Sequence, residues 1–120
     1  MNSIPATPNS PSSELDVTIA TTPAVADTII MHTMSRACVY VPSTSNLTHV
    51  DIYGAEKDTA ASFKPIADSG GAFDKITLPS LTNGVAVALP TSIGAVPYIK
   101  LIGTFSSGTS ETVQVTRSSP

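Results

Sequence analysis

Apolar and polar residues alternate along most of this chain, and that period of two constrains the fold more than any other feature. Successive side chains of a β-strand point to opposite faces, so an alternating segment buries one face and wets the other. Leu15, Val17 and Ile19 alternate with Asp16 and Thr18, which reads as a first strand, broken at Thr21, Thr22 and Pro23. Residues 25–33 (VADTIIMHT) read as a second strand with an apolar centre, and residues 36–41 (RACVYV) as a third, stopped by Pro42. Residues 47–53 (LTHVDIY) read as a fourth, with Val50 and Ile52 on one face and Leu47, His49, Asp51 and Tyr53 on the other. A weaker fifth strand spans 61–66 and ends near Pro65. A sixth spans 73–78, a seventh 85–89, an eighth 98–105 and a ninth 111–117. The turns between them carry turn chemistry: Asp68-Ser69-Gly70-Gly71 before the sixth, Asn83-Gly84 before the seventh. Pro42, Pro79 and Pro90 each follow an apolar residue and precede Ser or Thr, which suits strand ends.

No segment has a convincing helical period. The best candidate, 55–63, rests only on its Ala, Glu and Lys content. Short strands with turns every 8–12 residues or so predict an all-β domain, a sandwich or jelly roll of about eight or nine strands. The expected inward residues are Val50, Ile52, Ile76, Val85, Val87, Leu89, Ile99, Leu101, Val113 and Val115.

Residues 1–14 stand apart from this pattern. They hold three prolines, four serines and two asparagines, with Met1 and Ile4 as the sizeable apolar side chains. Such a segment cannot bury enough surface to offset its ordering entropy. The expected organisation is therefore an extended N-terminal arm (1–14) and one β-domain (15–120). The arm is expected to dock on a neighbouring chain. Ile4 is its bulky anchor, and Pro5, Pro8 and Pro11 reduce the entropy lost on docking.

Composition narrows the function classes. Ser and Thr make up 32 of the 120 residues, and charged residues only 12%, about half the usual share of roughly 25%. The net charge is −3 and the six basic residues are scattered, so no phosphate-backbone footprint exists and no nucleic-acid partner is expected. No apolar stretch is long enough for a membrane-spanning helix. The N-terminus does not read as a secretory signal. Cys38 is the single cysteine, so no internal disulfide or zinc cage can form, and folding in a reducing cytosol is expected.

Residues that could carry chemistry have blander readings. His32 and His49 lie within expected strands, and no Gly-x-Ser-x-Gly elbow is present to complete a hydrolytic triad. Cys38 sits mid-strand, where a buried structural thiol is the default, although Arg36 shares its face. Asp51, Glu56, Asp58, Asp68 and Asp74 lie in or near turns without calcium-loop spacing. Asn46-Leu47-Thr48 matches a glycosylation acceptor by chance. The sequence therefore predicts no catalytic residue, no metal and no cofactor.

Residues 27–103 resemble small β-sandwich virion proteins of tailed bacteriophages. The likeness lies in Val39-Tyr40-Val41-Pro42, in the strand from Leu47, in Phe63-Lys64-Pro65-Ile66 leading to Gly71, and in Pro97-Tyr98-Ile99-Lys100-Leu101. Together with the Ser/Thr/Ala-rich composition and the arm, it is similar to the capsid decoration, or cement, type. That resemblance implies a structural protein on the virion's capsid surface. Its partners would be the major capsid protein or other virion subunits, and the implied form is a homo-oligomer, often a trimer. A tail, fibre or adaptor component and a carbohydrate-binding module are the alternatives. The latter would have to use Tyr40, Tyr53 and Tyr98, because the chain has no Trp.

Overall fold

The computed structural model describes residues 12–32, 34–67, 76–78 and 84–118. Among the described residues nine strands follow in order: β1 Ser12–Ala20, β2 Ile29–Ile30, β3 Arg36–Val41, β4 Leu47–Ala55, β5 Lys64–Pro65, β6 Thr77–Leu78, β7 Val85–Ala88, β8 Tyr98–Phe105 and β9 Ser110–Ser118. Two 3-10 turns, Ala60–Ser62 and Thr91–Ala95, are the helical elements among the described residues. The protein is all-β, as its alternation predicts.

The strands form one sheet, ordered β5-β4-β8-β1-β9-β3-β7, with β2 beside β8 and β6 beside β4. Among the described residues the pairings are antiparallel except for one parallel contact, Ala20 of β1 with Ile102 of β8. The sheet curls on itself as a half-barrel rather than separating into two stacked layers. Its concave side holds the core: Val17 and Ile19 of β1, Val39 and Val41 of β3, Val50 and Ile52 of β4, Ile99 and Leu101 of β8, Val113 and Val115 of β9. Burying each of these side chains contributes on the order of 1.5–3 kcal/mol. Ile29, Met31 and Ile93, none of them in a long strand, are fully buried in the same cluster.

The longest pairing joins β1 to β9 over nine residues, from Ser12 opposite Ser118 to Ala20 opposite Ser110. The sheet thus begins at Ser12, inside the stretch that composition assigns to the arm. Ser and Glu are indifferent strand formers, and the ladder to β9 carries Ser12, Ser13 and Glu14 into the sheet.

Several expectations are corrected by tertiary pairing. The second strand contracts to Ile29 and Ile30, because Val25 and Ala26 instead donate to the Thr22 carbonyl in a turn. His32 lies just past β2 with φ 24°, in a turn rather than a strand. The weak fifth strand becomes a 3-10 turn followed by Lys64–Pro65, and of the helical candidate 55–63 only Ala60–Ser62 is wound. Of the sixth strand, Ile76, Thr77 and Leu78 fall within the described residues, and Thr77 and Leu78 pair in the sheet. Leu47 is 2% exposed, on the core side with Val50 and Ile52. A register shift between Leu47 and His49 inserts an extra residue and reverses the phase of the strand before it. Val85, expected inward, is 38% exposed, because β7 is the last strand of the sheet. Ile76 and Val87 are half-buried against the core, and the other seven expected inward residues are buried.

Candidate interaction surface

The root of the arm is set by the β1–β9–β3 register. Ser12 lies opposite Ser118, and Ser118 lies opposite Arg36. The start of β1, the end of β9 and the start of β3 therefore meet at one end of the sheet. The expected anchors Ile4, Pro5, Pro8 and Pro11 lie outside the described residues.

From that end, the convex face of β1, β9, β3 and β7 runs as a grid. One row is Glu14, Thr116, Cys38 and Ala88; the next is Asp16, Gln114, Tyr40 and Ala86. Thr18 and Thr112 continue it, their hydroxyls 3.4 Å apart, and the Tyr40 hydroxyl lies 3.3 Å from Thr116 Oγ1. The strip is hydroxyl-rich and neutral at its centre. Its charges sit at its margins, Glu14 and Asp16 along β1 and Arg36 at the end of β3. Tyr40 is 41% exposed on it. Such a face can form hydrogen bonds and aromatic contacts with a protein partner at low desolvation cost. Cys38 belongs to this face and is half-buried, so the expectation of a buried thiol is corrected: its side chain points away from the core that Ala37 and Val39 enter.

The convex face of β4 and β8 is covered instead. Residues 21–28 fold back beside it. Thr18 N–H donates to Asp27 Oδ2 at 2.8 Å, Asp27 N–H donates to the Thr18 carbonyl at 3.0 Å, and Thr28 Oγ1 donates to Asp58 Oδ1 at 2.7 Å. Ala20, Ala26 and Ile102 form a small second cluster there, with Tyr53 against it. Lys100 is 6% exposed; its ammonium donates to the Pro23 carbonyl and stands 4.7 Å from the Phe63 ring centroid. This lysine tethers the loop to the sheet.

The side chains considered for chemistry are dispersed. His32 packs edge-on against Tyr98, with centroids 5.1 Å apart, while His49 is exposed on β4 beside the Thr48 hydroxyl. Asp51 accepts from Thr77 Oγ1 at 2.7 Å. Glu111 accepts from Ser45 Oγ and, at 2.8 Å, from the Asn46 amide, holding the entry to β4 against β9. Asp68 and Asp74 lie outside the described residues. Among the described residues no cluster of three His, Cys, Asp or Glu side chains is placed to hold a metal ion.

Sequence reasoning did not single out Glu14, Asp16, Gln114, Thr116 or Arg36 as neighbours. No local signal joins them, because only the strand register does. The fold is similar to that of the crystal structure of SPBc2 prophage-derived protein YomS, with a TM-score of 0.58 and 11% identity over 98% of this chain and 100% of that chain. No protein-family model matches the sequence, and no curated protein matches it.

Proposed function

We propose that this chain is a structural component of a bacteriophage virion, a decoration protein that binds the outside of an assembled capsid. The observation that carries the reading is the whole-length likeness of fold to a prophage-derived protein. The neutral, hydroxyl-rich face beside the root of the arm supports it. The mechanism is mass action: a protein that binds the assembled shell and not its free subunits stabilises the shell by its binding free energy. Repetition around a symmetry axis adds avidity. In this reading the arm lies along a neighbouring major capsid subunit or a second copy of the chain. The protein acts as a homo-oligomer without catalytic residues or cofactors.

A tail, fibre or adaptor role fits the same fold and is separated from decoration by position on the particle. The carbohydrate-binding alternative is weaker. Tyr40 lies on β3, whereas Tyr53 and Tyr98 lie on β4 and β8, across β1 and β9 in the sheet. They do not form one platform.

Immunogold labelling of phage particles released by the organism that encodes the chain tests the proposal. Label over the shell is the expected result. Label confined to the tail selects the alternative, and particles free of the protein overturn both.

A further inference from the structure

The two edges of the sheet differ. Beside β4 stand two short strands, β5, Lys64–Pro65, both exposed, and β6, Thr77–Leu78; a lysine and a proline are residues that discourage another strand from adding. At the other edge β7 is Val-Ala-Val-Ala, with Val85, Ala86 and Ala88 exposed. The strand itself carries no charge: residues 76–99 contain no Asp, Glu, Lys, Arg or His. An uncharged edge of apolar residues is a template for strand addition.

The register shows which backbone groups of β7 face away from β3. Leu89 N–H donates to the Ala37 carbonyl at 2.9 Å, and Val87 lies opposite Val39 and Val85 opposite Val41. Hydrogen-bonded pairs recur every second residue of an antiparallel ladder. Residues 85, 87 and 89 therefore bond to β3, and the N–H and C=O of Ala86 and Ala88 point away from the sheet.

We propose that β7 pairs antiparallel with β7 of a second copy of this chain across a two-fold axis, making one continuous sheet. With Val87 opposite Val87 of the second copy, Ala86 lies opposite Ala88, and each alanine donates one bond and accepts one. The match is self-complementary, as a two-fold interface requires. Val85 and Val87 sit on the inner face, so pairing covers the apolar surface that the end of the sheet leaves exposed. Ala86 and Ala88 offer no bulk or charge against it. Gly84, at φ 74°, and Pro90, which has no N–H, limit the pairing to this short run. So short an edge buries less than a standard interface, and the association is weak. The inference stands on the edge strand and holds whether or not the protein joins a particle.

Sedimentation equilibrium of the full chain from about 10 μM to 1 mM, the range in which such contacts report, tests it. The wild type is expected to shift from monomer to dimer, and the Ala86 and Ala88 amides to gain exchange protection as concentration rises. Ala86→Lys and Ala86→Pro are each expected to weaken association at least about tenfold. Ala86→Lys keeps every bond to β3, so an unchanged circular dichroism spectrum and melting curve confirm that it is folded. A wild type that stays monomeric at the top of the range overturns the proposal. So does association that survives Ala86→Lys, or that vanishes only when residues 1–11 are removed.

Discussion

At the scale of single residues, the fold turns on a few positions where the curled sheet packs most tightly. Gly103 of β8 is one. A β-carbon there would stand 2.7 Å from Ile19 Cγ2 and 2.8 Å from Leu47 Cδ1, both side chains of the close-packed core. Gly103→Ala is expected to cost about 1–3 kcal/mol through overpacking, measured by urea denaturation. Lys100 is another. Lys100→Met keeps the apolar stem over Phe63 and removes the donor to the Pro23 carbonyl. The expected loss is about 1–2 kcal/mol, together with faster amide exchange confined to residues 21–28. Stabilisation by the methionine would mean that the buried ammonium costs more than its contacts return. Neither residue stands out in the sequence, where Gly103 is one glycine among seven and Lys100 one cation among six.

At the scale of elements, alternation located β3 and β8 to the residue, and β4 and β9 to within two residues at either end. It failed where one partner changed the phase or removed the need for a strand. The bulge in β4 puts Leu47 in the core and leaves His49 exposed, the reverse of a pairing on one face. Leu47→Ala is accordingly expected to cost about 2–4 kcal/mol, while His49→Ala leaves the thermal midpoint nearly unchanged; differential scanning calorimetry distinguishes the two. The apolar run around Ile29 to Met31 looks like a long strand, yet only two residues pair, because Met31 turns into the core and donates to the Pro97 carbonyl. Apolar runs report burial, and burial has more than one backbone solution.

At the scale of the whole molecule, the β1–β9 ladder ties the start of the chain to its end. A chain beginning at Ser12 is expected to melt like the full-length protein. A chain beginning at Leu15 loses three rungs against Thr116, Arg117 and Ser118, and its midpoint should fall by several degrees, since about 1 kcal/mol moves a domain of this size by roughly 4–8 °C. Equal midpoints would show that these rungs add nothing to the fold. On the virion reading, both shortened chains also bind the particle more weakly than the full chain, which co-sedimentation with capsids measures. A deficit in binding without a deficit in melting, seen for the chain from Ser12, would isolate the contribution of residues 1–11.

By itself the sequence determined that this protein is all-β, where most strands lie and which side of most of them is apolar. Those are consequences of the two-residue repeat and of prolines and glycines acting within a few bonds. Tertiary structure alone decided the strand order, the curl into a half-barrel, the bulge that turns Leu47 inward and the exposure of Val85 at an open edge. It also brought Arg36, Glu14 and Ser118 to one end of the sheet, and left Ala86 and Ala88 with backbone groups facing outward. Each of these depends on hydrogen bonds between residues far apart in the chain, as in Ser12 with Ser118. A side-chain repeat fixes which way a residue faces but carries no label for the strand beside it.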